Sequence, residues 1–269
     1  MTVWPISIST VIGRNKPLEE VLRAISCAGF HLVEIFPGHI PELMTKDHRL
    51  LLAELGLQIG TIHLPFVRKD ITDPDEAKRK GVLEELKGII KCAPKYEVPI
   101  FILHPNSYSV VQDENDYHNR QAAFEDSVTQ LMPHARKAGA RLAIENMIGS
   151  IDERFGCFAF EIAHWVKKQD DPVLGACIDT THAILNGEDI EQAVLEAGSW
   201  LVAIHASDNI PGEHLHALPG RGDMNWEDFV CALKRVNYQG LFTMELYETE
   251  AWKSDLVLAL QKANTLAKR

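Results

Sequence analysis

Short apolar runs alternate with longer stretches whose apolar residues recur at helical spacing, from one end of the chain to the other. The short runs predict strands over Val3–Ile8, Leu32–Phe36, Gln58–His63, Val98–His104, Ala140–Glu145, Leu174–Asp179, Leu201–His205 and Leu241–Leu246. The 3.6-residue period predicts helices over Pro17–Ala28, Lys46–Leu55, Pro74–Cys92, Tyr117–Lys137, Cys157–Lys168, Ile190–Ala197, Trp226–Arg235 and Trp252–Thr265. Gly56 is a stop signal for the second helix, and Gly29, Gly139, Gly198 and Gly240 sit between helical stretches and strands, as αβ turns require. Eight strand–helix units in 269 residues predict an α/β protein, a closed (β/α)8 barrel formed as one domain over residues 1–269. The alternative is an open doubly wound sheet, which wants a Gly-rich phosphate turn after an early strand. ISISTVIGRN at Ile6 is a poor match to one.

The predicted strands end in a particular set of residues: Glu34, His63, His104, Glu145, Asp179, His205 and Glu245, with His182 three positions after Asp179. Each has an ordinary explanation alone. Glu34 would pair with a neighbouring Arg, a strand-end His would donate to a rim carbonyl, and Asp179 would cap the following turn. A closed barrel, however, converges its strand ends on one pocket. Glu145, Asp179 and Glu245 would there be three carboxylates in a small space, and their repulsion demands protonation or a cation. A divalent ion resolves it, with His205 as the nitrogen ligand, and Mn, Co, Mg and Zn all suit such a set.

Two polar connections, Asn106–Asp116 and Asn209–Asn225, follow strands and are candidate substrate lids. Within the second, LPGRGDMNW predicts a tight turn built on Gly220 and Gly222 that leads into a helix headed by Asn225. Arg221 there is a candidate contact for a substrate oxygen, or one half of a surface ion pair. His31, His39 and His48 fall outside the convergent set and are expected to pack or face solvent.

Composition narrows the function. The chain is 46% apolar and 24% charged, as soluble globular proteins are. No apolar run reaches the length of a membrane span, and MTVWPISIST has no basic region preceding an apolar one, against a signal peptide. Five scattered cysteines without a CxxC fit reduced thiols and a cytoplasmic setting. The formal charge of −11 disfavours nucleic acid or an anionic membrane as partner, because phosphate rewards clustered positive charge. A metal site has no such requirement, since the ion brings its own charge. Oligomeric state is not legible.

VEIFPG at Val33, TIHLP at Thr61, ILHP at Ile102, AIENM at Ala143, CIDTTH at Cys177, IHASDN at Ile204, LPGRGDMNW at Leu218 and TMELY at Thr243 together resemble the xylose isomerase-like TIM-barrel superfamily across essentially the whole chain. That superfamily includes ketose 3-epimerases, sugar-phosphate isomerases and epimerases, inosose dehydratases and the endonuclease IV type of apurinic endonuclease. Resemblance to the epimerase branch implies metal ligands at Glu145, Asp179, His205 and Glu245. It also implies a sugar-oxygen contact at His182 and proton transfer beside a carbonyl, with Glu145 and Glu245 exchanging the protons. On that reading the partner is a small sugar or polyol, and His63, His104 and Arg221 join His182 as substrate-binding candidates. Resemblance to the endonuclease branch implies further metal ligands at His63, His104, His182 and His216. The branch has an Asp where this chain has His214, which puts a third ion in doubt unless that His is itself a ligand. Its cation-poor loops, with Arg68 and Lys69 near Val67 and Arg221 later, argue for a small substrate over a duplex. An inosose dehydratase-like lyase and a non-catalytic sugar-binding barrel complete the alternatives.

Overall fold

The computed structural model describes residues 4–150, 154–210 and 212–268. Eight parallel strands close into a barrel in chain order: β1 (Ile6–Ser9), β2 (Leu32–Ile35), β3 (Gln58–His63), β4 (Ile100–Leu103), β5 (Arg141–Glu145), β6 (Leu174–Asp179), β7 (Leu201–Ala206) and β8 (Leu241–Met244), with β8 pairing back onto β1. This is the (β/α)8 barrel expected from the alternation. The strands β3 and β6 have the expected bounds, β7 runs one residue further, to Ala206, and the others shift or shorten by a few residues. The first begins at Ile6, where Pro5 immediately before it has no N–H to give a ladder. Val3 of the expected strand lies outside the described residues.

Around the barrel lie α1 (Leu18–Cys27), α2 (Ile40–Thr45), α3 (Arg49–Leu55), α4 (Glu76–Ile90), α5 (Ala93–Tyr96), α6 (Glu114–Ala138), α7 (Ala159–Gln169), α8 (Thr180–Leu185), α9 (Ile190–Ala197), α10 (Trp226–Arg235) and α11 (Trp252–Lys268). Local signals set several of their ends. Asp75, Asp113, Asp189 and Asn225 each accept a backbone N–H from the first turn of the helix that follows. Gly56 and Gly139 end α3 and α6 in left-handed conformations, φ 64° and 71°, open to glycine at little cost. No described helix is long and apolar enough to cross a membrane.

The period of two along each strand decides where chemistry can sit. Phe101 and Leu103 of β4, Leu142 and Ile144 of β5, Ile178 of β6 and Phe242 of β8 join the large core between barrel and helices. Their neighbours Ile100, Ile102, Ala143, Cys177, Ala203 and Leu241 fill the barrel interior. Each fully buried Leu, Ile or Phe contributes about 1.5–3 kcal/mol. Two residues beyond Ile102, Ala143, Cys177 and Ala203, the same inward parity falls on His104, Glu145, Asp179 and His205. An apolar plug at one end of the barrel therefore becomes a charged layer at the C-terminal end of the strands, the end on which this fold builds its sites.

Candidate metal centre

Glu145, Asp179, His205 and Glu245 are buried, and one ligand atom from each lies within 4.8 Å of all the others. Nδ1 of His205 stands 3.0 Å from Glu145 Oε1, 3.1 Å from Glu245 Oε2 and 4.0 Å from Asp179 Oδ2. The ladder sets this: Asp179 pairs with His205 across β6 and β7, and His205 with Thr243 across β7 and β8, so adjacent strands deliver their last inward residues side by side. Asp179 divides its carboxylate. Its Oδ1 accepts the His182 backbone N–H at 2.7 Å and caps α8, while Oδ2 has no hydrogen-bond partner among the described residues. Glu145 Oε2 makes no hydrogen bond of ordinary geometry among the described residues, and its near neighbours are the Nε2 atoms of His104 and His63. Buried carboxylate oxygens without donors are costly unless something positive meets them. Three carboxylates and an imidazole are a donor set for a divalent cation such as Mn, Co, Mg or Zn, and the cluster fits one.

Charges in the cluster are mutually dependent. Burial works against ionisation of Glu145, yet His205 and His104 overcome it and hold its carboxyl well below the usual range. For His205, burial opposes the charged ring, and Cys177, Glu34, Glu245 and Glu145 reverse that and push the imidazole well up. The Cys177 thiol is itself driven up by burial and is neutral near pH 7, so the carboxylates are what hold the imidazolium. Burial, reinforced by Glu245 and Glu145, raises Asp179 against the pull of His182 and His216. Such a set exchanges bound protons for a metal ion.

Two more groups of ligand-type atoms adjoin the first. His63 and His104 bring their Nε2 atoms to 3.0 Å of each other and to 3.3 and 3.1 Å of Glu145 Oε2. His63 donates its other nitrogen to the Leu64 carbonyl at 2.9 Å. Glu145 raises the His63 imidazole in spite of burial, whereas burial pushes His104 down to about 4. The third group is His182, His214 and His216. His182 Nδ1 donates to the Asn146 carbonyl at 2.8 Å, leaving Nε2 with its lone pair. Nε2 of His216 is 2.9 Å from Nε2 of His214, which also lies 3.2 Å from the Tyr247 hydroxyl. His216 adopts φ 41°, a conformation that costs a non-glycine residue roughly 1–3 kcal/mol and aims its ring at the cluster.

The loops that follow the strands frame this layer. Phe66 lies over His104, ring centroids 3.9 Å apart, and Tyr108 meets Phe66 edge-on. Asp70 ties the β3 loop to the β4 loop through Ser109 and to α6 through Arg120. In the long β7 loop, the buried Asp208 carboxylate accepts from the backbone N–H groups of Asn209, Gly220 and Met224 and from Trp226 Nε1. Gly222 is required there for space: a Cβ would stand 2.3 Å from the Asn209 carbonyl oxygen. The described residues of the two expected lid segments thus carry Tyr108, His214 and His216 to the site.

Of the residues singled out by sequence, the structure gathers His63, His104, Glu145, Asp179, His182, His205, His214, His216 and Glu245. It does not gather Arg221, which is 57% exposed on its side chain and directed 3.9 Å from Asp255 of α11. Lys69 pairs with Glu85. His39 and His48 are buried packing residues, and His39 bonds Thr10 and the Lys16 carbonyl. Glu34 joins the cluster from β2, as the convergence of strand ends leads one to expect. In place of an Arg, it meets His205 Nε2 at 2.9 Å and accepts the Thr61 hydroxyl at 2.8 Å.

A closed α/β barrel that gathers carboxylates and imidazoles at its C-terminal strand ends defines a class of metal-associated barrels. Residues 22–263 match the xylose isomerase-like TIM-barrel family, and the chain belongs to it. It is similar to the D-psicose 3-epimerase of Ruminiclostridium cellulolyticum, 22% identical over 232 residues that span 83% of this chain and 76% of that one. An inosose isomerase of Halalkalibacterium halodurans is 25% identical over 263 residues, 93% of this chain and 89% of the other. The crystal structure of D-psicose 3-epimerase with D-tagatose from Clostridium cellulolyticum H10 shares the fold, with a TM-score of 0.81 at 19% identity over 98% of this chain and 99% of that one. The chain is accordingly a metal-binding barrel related to ketose 3-epimerases that act on small sugars.

Proposed function

We propose that the protein is a divalent-metal-dependent isomerase or epimerase of a small sugar, polyol or keto-sugar, working by proton transfer beside a carbonyl. The observation that carries this reading is the buried set Glu145, Asp179, His205 and Glu245, with Asp179 keeping an oxygen without a hydrogen-bond partner among the described residues. These four residues would hold the cation, which when bound would supply positive charge to polarise a carbonyl and offset negative charge on the substrate oxygens. Glu145 and Glu245 are the proton carriers, one removing a proton and the other returning one to the opposite face. His205 and His104 keep Glu145 ionised, which leaves it free to accept a proton at the cost of some basicity. His182 holds a sugar oxygen through Nε2, its ring fixed by the bond from Nδ1 to the Asn146 carbonyl. The neutral His104 and its partner His63 are further contacts at the same mouth. The relatives' names, a D-psicose 3-epimerase and an inosose isomerase, support small polyhydroxylated substrates.

The test is solvent exchange. Metal-supplemented protein is incubated with ketohexoses, ketopentoses and inososes in D2O, and deuterium at the carbon beside the carbonyl is followed by NMR. Incorporation is expected with at least one of them, lost on chelation and lost in Glu145→Gln, while Arg221→Ala retains most of it. A folded, metal-loaded protein that exchanges none of them, or a Glu145→Gln variant that exchanges normally, would overturn the mechanism.

A second reading has observations of its own: the groups His63–His104–Glu145 and His182–His214–His216 are additional candidate ligand sets, as a multinuclear phosphodiesterase of the endonuclease IV type would need. The formal charge of −11 and the engagement of Lys69 with Glu85 weigh against a nucleic-acid substrate.

A further inference from the structure

We propose that Glu34 is a positioning residue for the metal centre: its carboxylate fixes the tautomer and ring direction of His205 so that Nδ1 is the ligand atom. This rests on the reading of Glu145, Asp179, His205 and Glu245 as a cation site. Glu34 stands on β2, a strand that sends none of those four ligands, and it is fully buried. Its Oε2 is 2.9 Å from His205 Nε2 and accepts the Thr61 hydroxyl at 2.8 Å. Thr61 is its partner in the β2–β3 ladder, directly after a register shift between Val33 and Glu34, so the barrel itself aligns donor and acceptor. The opposite nitrogen of His205 faces Glu145 and Glu245.

An ionised carboxylate only accepts, so Nε2 must carry a hydrogen. A neutral imidazole has one ring hydrogen, and with that hydrogen held on Nε2 the lone pair lies on Nδ1, aimed at the three carboxylates. The negative charge behind the ring also makes it a stronger ligand. A role in packing alone does not account for the residue, because a buried charge is a poor way to fill space. Asp208 provides the contrast: that buried carboxylate is satisfied by four donors of its own loop and its neighbouring helix. Glu34 instead reaches across the barrel interior to a ligand, and its Oε1 has no hydrogen-bond partner among the described residues.

The experiment compares Mn²⁺ binding by wild type and Glu34→Gln, which keeps the shape and a hydrogen-bond acceptor but removes the charge. Dissociation constants are read from the EPR signal of free Mn²⁺, and circular dichroism verifies the fold. Glu34→Gln is expected to bind about 10–100-fold more weakly, and its Co²⁺ complex to show a shifted visible spectrum, which a packing role would not move. Long-range ¹H–¹⁵N NMR of the Zn²⁺-loaded wild type gives a second readout, independent of whether the variant folds: His205 is expected to be protonated at Nε2 and metal-bound at Nδ1. A Glu34→Gln affinity within about twofold of wild type, or a His205 hydrogen on Nδ1, overturns the proposal while leaving the metal centre intact. A wild type that binds none of the three ions removes the metal-centre reading itself, and this proposal with it.

Discussion

Asp179 shows how one residue satisfies two explanations at once. Its Oδ1 caps α8, the ordinary reading of an Asp at a strand end, and its Oδ2 is left facing the cluster. The residue types and strand-end positions of the four proposed ligands were therefore legible in the sequence. The partner of Glu34 was not, because its bond to His205 joins positions 171 residues apart and no local pattern encodes it. Protonation was equally hidden, since it depends on which carboxylates converge. Burial pushes His216 down to about 3 and His104 down to about 4. A histidine whose folded value is depressed contributes fully above its unfolded value of about 6.5, and that contribution is lost as pH falls toward the folded value. In chelator-treated protein, His216→Gln should lose less stability on acidification than wild type. The expected difference is at most ~1.4 kcal/mol for each pH unit below about 6.5. Urea unfolding at pH 7, 6 and 5 checks this, and parallel curves for the two proteins would contradict it.

At the scale of elements, strands read more clearly than short helices. The apolar runs located all eight described strands, because interior strands of a parallel barrel are covered on both faces. By contrast α2, α5 and α8, of six, four and six residues, were not expected, since one or two turns leave no periodicity to detect. The Leu218–Trp226 turn was anticipated, but for a different reason than the one the structure gives. Gly220 does take φ 86°, whereas Gly222 is needed for close approach to Asn209 and Asp208. A methyl group there meets backbone that cannot rotate away. Gly222→Ala should therefore cost about 1–3 kcal/mol and loosen the loop that carries His214 and His216. Thermal unfolding reads the loss, and an unchanged melting temperature would show that the loop has room to shift.

For the molecule as a whole, parity along the strands links fold to function: the barrel that buries Ala143, Cys177 and Ala203 must also bury Glu145, Asp179 and His205 two residues later. That placement concentrates negative charge in a low-dielectric interior, a cost that a bound cation offsets. The number of ions separates the two functional readings, because proton transfer would need only the carboxylate-rich centre and phosphodiester cleavage would use all three ligand groups. The most direct measurement is elemental analysis of bound metal per chain, on protein purified without added metal or chelator, alongside Asp179→Asn. The account predicts close to one Mn, Co or Mg per wild-type chain, and little in the variant. Two or three Zn per chain would contradict it in favour of a multinuclear hydrolase, and a wild type that holds no metal would contradict both.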